Sequence, residues 1–270
     1  MAWTPWSLDP SLVYVALAAG LYALGSRGRD RPKPLQALSF SASLVVIVIA
    51  LDSPIDRYAD QLFWVHMLQH ILLITVAPPL FLLGRPWPRM WRALPLEPRT
   101  KVARSIALSH SMAPVRALAR PLPAWILFNA TLVGWHIPGA YDATLTSGVV
   151  HACEHAMFFF IGLLFWARVI NPGPLRPRLV WPVRIGYVAG AMVVGWMLAI
   201  ALVIVPHPIY GYYAALQARP GGISALTDQQ LAAGVMWVPG SLAYVTTFII
   251  GFYRWLEPDS SSPAPAAFTT

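Results

Sequence analysis

The sequence predicts an all-α integral membrane protein: a bundle of seven transmembrane helices, N-terminus outside and C-terminus cytoplasmic. Three observations predict it. The 270-residue chain is 57% hydrophobic and only 11% charged, with a mean hydropathy of +0.57, too apolar for a soluble domain. Apolar runs long enough to cross a bilayer recur between clusters of Pro, Gly and charge. Finally, 17 of the 19 Lys and Arg residues fall on one alternating set of loops.

The first span is placed near 8–26, after an N-terminal MAWTPWSLDPS that carries no basic residue and does not read as a cleaved signal peptide. Arg27, Arg29, Arg31 and Lys33 follow in the loop 27–34, and the second span is placed near 35–51. The third runs near 61–83, where Pro78–Pro79 predict a kink or a stop. Loop 84–120 then holds Arg85, Arg89, Arg92, Arg99, Lys101, Arg104, Arg116 and Arg120. Within it, RPWPRMWRALP at 85–95 mixes Arg with Trp and Leu and is expected to lie on the membrane surface. KVARSIALSHS at 101–111 is expected to form a second surface helix. The fourth, fifth, sixth and seventh spans are placed near 121–136, 147–169, 182–205 and 231–253, the first and fourth being the shortest. Arg168, Arg176, Arg178 and Arg184 fill the loop after the fifth, and Arg254 follows the seventh. Residues 1–257 thus read as one membrane domain, and 258–270, with SSSPAPAAFTT, as a flexible tail.

The opposite set of loops holds only Arg57 and Arg219, together with Asp9, Asp52, Asp56, Asp60, Asp142 and Asp228. By the positive-inside rule that set is outside. The net charge of +8 is therefore a topology signal and a contact for lipid headgroups, and nucleic acid is not needed to explain it. The one cysteine, Cys153, excludes an internal disulfide and a Cys-rich metal cage.

Two histidine pairs stand inside the apolar runs: HMLQH at 66–70 and HACEH at 151–155. Both spans start outside. At 1.5 Å per residue, His66 and His70 lie roughly 9 and 15 Å below Asp60, and His151 and His155 roughly 6 and 12 Å below Ser147. His136 closes the fourth span and His207 follows the sixth, so every histidine except His110 belongs to the outer half. Residues four apart in a helix are offset by about 40°, so each pair presents two imidazoles on one face. Gln69 and Glu154 sit about 60° to the side of the first histidine of each pair, placed to bond the rings or join their coordination shell. Cys153, about 200° from His151, points away and reads as a small buried packing residue.

A single intramembrane histidine, such as His136 or His207 taken alone, is explained by a hydrogen bond to a neighbouring helix worth about 1 kcal/mol. Four imidazoles and a carboxylate at one depth are costly to bury unless they share a partner, and one metal ion satisfies them all. Imidazole suits copper, zinc and iron alike. Met67, Met157 and Met236, the last in the outer part of the seventh span, supply soft sulfur that leans the choice toward copper.

The same residues carry a resemblance. HMLQH with APPLFLLGRPW at 77–87, WHIPGAYDATL at 135–145, HACEHAMFFFIGLLFW at 151–166 and DQQLAAGVMW at 228–237 resemble the polytopic CtaG family of cytochrome c oxidase assembly factors. The resemblance implies a seven-span protein of the bacterial cell membrane that helps build the respiratory oxidase. It implies a role in supplying copper, at the binuclear centre of oxidase subunit II on the outer face. Motif by motif it carries over His66, His70, His136, His151, Glu154, His155 and Asp228 as the residues of interest. His207 stands in VPHPIYGYY, where the Pro–Tyr pattern matches the family and the histidine does not. Metal handling rather than catalysis is the expectation. Two alternatives stand beside it: a zinc hydrolase in which HACEH is an H-x-x-E-H site with Glu154 activating water, and a haem protein with axial histidines from two helices.

Overall fold

The computed structural model of the protein describes residues 10–27, 31–170 and 179–257. The N-terminal stretch before Pro10, the loop residues Arg29, Arg176 and Arg178, and the tail expected at 258–270 lie outside the described residues. Among the described residues every regular element is a helix. Five are long and apolar enough to cross a membrane: α2 (Pro34–Asp52), the continuous α4 (Phe63–Ile71) and α5 (Ala77–Leu83), α11 (Gly148–Ile170), α12 (Trp181–Ile204) and α14 (Ala225–Leu256). Two further helices in the places expected for spans, α1 (Ser11–Gly25) and α9 (Pro121–Trp135), have 15 residues each, about 22 Å at 1.5 Å per residue. The remaining helices are short connectors: α3 (Pro54–Ala59), α6 (Pro86–Ala93), α7 (Leu96–Leu108), α8 (Ala113–Leu118), α10 (Pro138–Thr146) and α13 (Gly211–Ala215).

Proline marks many of these starts, at Pro34, Pro121 and Pro182, where its missing N–H belongs to the first turn and costs nothing. α14 begins six residues before the expected 231. Gly221 and Gly222 turn the chain with φ of 79° and 66°, and the Ser224 side chain accepts from the Thr227 N–H to cap the helix. Asp228 is thereby drawn into the first turn of α14.

The distribution of polarity is inverted relative to a water-soluble protein. Val13, Leu17, Leu35, Leu38, Val149, Met197, Ile204, Val238 and Leu242 are exposed, while His66, Gln69, His70, Asn129, Glu154, Arg168 and Asp228 are buried. An apolar exterior of this extent fits a hydrocarbon solvent, and it confines the unusual polar groups to the interior. The α4–α5 rod is more buried than the other four long helices and forms the axis of the bundle. α11 packs on α5 and α9, α14 on α4 and α12, α2 on α5, and α1 on α2 and α6.

Of the kink or stop expected at Pro78 and Pro79, the stop does not occur, and the third span continues through an irregular turn. The helix absorbs them through a π-helical turn at Leu72–Val76, after which α5 carries them in its first turn. The Ile74 carbonyl, which Pro78 cannot serve, accepts instead from the Trp166 indole N–H at 2.9 Å. The Ala77 carbonyl accepts from the Ser43 hydroxyl at 2.8 Å. The Trp166 replacement donor comes from α11 and the Ser43 hydroxyl from α2, so the irregular turn also ties the bundle together.

The expected surface segments are α6 and the neighbouring α7. In α6, Arg89 turns inward and donates to the carbonyls of Gly84 and Arg85 and to the Gln36 side chain. Trp87 of the same helix is half exposed.

Candidate metal centre

The first residues of α4 set the site. Both oxygens of the Asp228 carboxylate accept backbone N–H groups there, from Phe63 at 2.9 Å and from Trp64 at 3.0 Å. These donors have no acceptor within their own helix, and a carboxylate also complements the helix dipole. The anchor holds α4 so that His66 and His70, one turn apart, share a face with ring centroids 4.4 Å apart. From α11, Glu154 and His155 reach the same place. Glu154 Oε2 is 3.6 Å from His66 Nε2 and 3.4 Å from His70 Nε2, and the His155 ring lies 6.2 and 5.8 Å from the rings of His66 and His70. One ligand atom from each of these four residues lies within 4.8 Å of the others. His66 and Glu154 are fully buried, and His70 and His155 nearly so.

Hydrogen bonds do not account for this convergence. His66 Nε2, both ring nitrogens of His70, His155 Nε2 and both Glu154 oxygens are buried without a hydrogen-bond partner. Buried polar atoms are otherwise nearly always bonded, and leaving one unmet costs roughly 1–3 kcal/mol. Separations of 3.4 and 3.6 Å are long for charge-assisted hydrogen bonds. Two ligand atoms each about 2.0–2.1 Å from a tetrahedral ion would stand about 3.3 Å apart. The donor set, three imidazoles and a carboxylate, fits a first-row transition ion after a contraction of order 1 Å across its widest pair.

The surroundings orient one ligand. The Tyr213 hydroxyl of α13 donates to the Ala59 carbonyl at 2.5 Å, so at 3.2 Å it accepts from His66 Nδ1. That places the His66 proton on Nδ1 and turns the Nε2 lone pair toward Glu154. Tyr141, Tyr210 and Tyr213, all buried, roof the cluster with Phe63. α10 and α13 hold this roof: Asp142 accepts from the N–H groups of Gly211 and Tyr212, and the Tyr210 hydroxyl donates to the His136 carbonyl.

The family model for the cytochrome c oxidase caa3 assembly factor (Caa3_CtaG) matches residues 14–258, which include every element of this site. The chain belongs to the Caa3_CtaG family. It is 28% identical over 268 residues to uncharacterized proteins of Mycobacterium bovis and Mycobacterium tuberculosis, and 25% identical over 270 residues to one of Mycobacterium leprae. Each comparison covers 95% of this chain and 40% of the relative, so the chain spans about two fifths of the length of the curated relatives it matches. No solved structure matches.

In this Caa3_CtaG chain not every residue expected at the site reaches it. His151 is adjacent, its ring 5.1 Å from His66 and 4.1 Å from His155. His136 lies 6.3 Å from the His70 ring, with Nε2 facing Met67 Sδ at 3.2 Å. His207 is exposed in the loop after α12, and its carbonyl accepts from Gln229. Asp228 holds the start of α4 and stands beside Arg219, at 4.0 Å, rather than among the converging donors. Met236 is half-buried against the cluster of Phe63, Met67 and Tyr141, and Met157 is exposed.

Gln69 is a correction. Its amide donates to the Ala50 carbonyl and to Asp56, both at 2.8 Å, so it binds α4 to α2 and α3 and leaves the histidines alone. Gln69 and Glu154 hold equivalent places in their motifs, but the flank they share faces α2 and α3 in one helix and α4 in the other. Cys153 is a second correction: it is exposed rather than buried, on the side of α11 away from the histidines. Residues not anticipated are Tyr213 and the pairing of Met67 with His136. The aromatic run in VPHPIYGYY was the available signal for Tyr213.

If Asp228 acts through the α4 anchor, Asp228→Asn is expected to cost about 1–2 kcal/mol, since one charged acceptor is lost at a helix start. A lower apparent melting temperature in detergent checks this.

Proposed function

We propose that this chain binds copper at His66, His70, Glu154 and His155, and passes it to a cytochrome c oxidase subunit during assembly. The observation that carries the reading is the group of buried, hydrogen-bond-less ligand atoms brought by α4 and α11 to within 4.8 Å of one another. Family membership supplies the process, and subunit II, whose copper centre faces outward, is the proposed recipient. The membrane arrangement belongs to the same proposal. α1 and α9 pack within the bundle beside the five long helices and complete seven spans. With 17 of 19 basic residues on one side, the N-terminus, the histidines and the aromatic roof then lie on the outer side of a bacterial cell membrane.

Among the alternatives, the zinc hydrolase needs Glu154 free as a base; its near-equal distances of 3.4 and 3.6 Å to two histidines suit a ligand instead. The haem reading needs open space for a macrocycle around its axial nitrogens, whereas the His66 and His70 rings pack against Tyr141 and Phe158, with centroids 5.1 and 4.4 Å apart. Elemental analysis of the chain purified from membranes in detergent tests the proposal. Copper is expected at up to one equivalent for this cluster; zinc alone, or a haem optical band, would contradict it. Tyr213→Phe removes the acceptor that orients His66, and copper affinity is expected to fall ~10–100-fold in a chelator competition, with the fold retained.

A further inference from the structure

His136 closes α9, and its ring is buried beside Met67, which is fully buried on α4. The His136 Nδ1 lies 2.7 Å from the Leu132 carbonyl. A carbonyl oxygen can only accept, so Nδ1 carries the proton and Nε2 carries the lone pair. That lone pair faces Met67 Sδ at 3.2 Å, and a thioether has no proton to offer either. Two electron-rich atoms are thus pressed together in a dry interior. A protonated ring would relieve the contact only by burying a cation, and among the described residues no carboxylate bonds to either nitrogen of this ring. A shared soft cation relieves it directly.

We infer that His136 Nε2 and Met67 Sδ form a second copper site, selective for Cu(I), beside the four-residue cluster. The inference takes the metal from the copper reading above, but not its ligands. A nitrogen about 2.0 Å and a sulfur about 2.3 Å from one ion, held 3.2 Å apart, subtend roughly 95° at it, which leaves room for a third donor. His70 is the third donor. Its ring lies 6.3 Å from that of His136, and neither of its nitrogens has a hydrogen-bond partner. Its Nε2 also stands 3.4 Å from Glu154. With its single lone pair His70 serves one ion at a time. With both sites filled it stays with the cluster and His136 and Met67 hold the second ion, and its exchange between the two forms the step between them. A thioether with imidazole favours Cu(I) over zinc, whereas the cluster with its carboxylate does not discriminate in this way. The softer site acts as a selectivity station on the way into or out of the cluster. Copper stays Cu(I) throughout and only its ligands exchange.

The test is an anaerobic titration of the full chain in detergent with Cu(I), read by chelator competition and by copper-edge X-ray absorption. Two coppers per chain are expected, with a sulfur neighbour near ~2.3 Å. Met67→Leu, a swap of similar volume, is expected to lose one copper and the whole sulfur contribution. His136→Gln is expected to do the same, and guards against a packing effect of either variant alone. Sulfur-bound copper that persists in Glu154→Gln supports a site separate from the cluster. If Glu154→Gln changes nothing while Met67→Leu loses the sulfur-bound ion, the cluster reading fails and this one stands. Equal copper content in wild type and Met67→Leu, with no sulfur neighbour in either, overturns the inference.

Discussion

Glu154→Gln is expected to lower copper affinity by ~100-fold or more, a loss at least as large as that from removing a partner beyond the ligands themselves. Glu154 is the only carboxylate in the cluster and is fully buried. Its charge offsets that of the ion, where no water can do so. Glutamine keeps the shape, and its amide can donate to the lone pairs of His66 and His70 that now go unmet. The metal-free variant should therefore melt no lower than the metal-free parent, because a buried charge has been exchanged for a neutral donor. Metal loss with unimpaired stability separates a ligand from a packing residue. His155→Ala is expected to lose copper as well, but with a lower melting temperature from the cavity it leaves. Unchanged affinity in Glu154→Gln would remove the carboxylate from the coordination shell. The two readouts are a chelator competition and thermal unfolding in detergent.

Gly162→Leu is expected to be among the most damaging apolar substitutions in the bundle. A Cβ at this position would stand 2.9 Å from Pro78 Cγ and 3.1 Å from the Ile74 carbonyl oxygen, and neither a proline ring nor a backbone can yield. α11 and the α4–α5 rod must therefore separate. Trp166, one turn further on, then loses its bond to the Ile74 carbonyl, leaving that group unmet beside the π turn. Overpacking of this kind costs ~1–3 kcal/mol, and the unmet carbonyl adds a similar amount. Two turns back along the same helix stand Glu154 and His155, so copper affinity is expected to fall together with stability. The outcome contrasts with Glu154→Gln, where affinity falls alone. A Gly162→Leu chain with the parent melting temperature would show that the close approach does not bear load.

The architecture was legible because lipid imposes few solutions. A helix is the one element that satisfies its own backbone in hydrocarbon, so apolar length and charge alternation located the long helices within a few residues, as for α2 and α11. The two histidine pairs were legible as single faces because helical periodicity is local. What α11 faces was not, since rotation of a helix about its axis is decided by its neighbours. For that reason Gln69 and Glu154, equivalent by spacing, part ways, and Cys153 comes out exposed. Pro78–Pro79 left kink and stop open because the rescue is remote: the donor that replaces the bond Pro78 cannot make is Trp166, 92 residues from the Ile74 carbonyl. Asp228 was carried over by the family motif as a residue of interest, and its carboxylate serves a backbone 165 residues away in sequence.

The most direct measurement is copper-edge X-ray absorption on the Met67→Leu chain carrying one equivalent of copper, in which the thioether near His136 cannot contribute. The account predicts three imidazole rings and one further oxygen at ~2.0–2.1 Å, with the imidazole signature reduced in both His70→Ala and His155→Ala. A copper ion that shows one imidazole or none, or a spectrum that is indifferent to the loss of either helix's histidine, would contradict it.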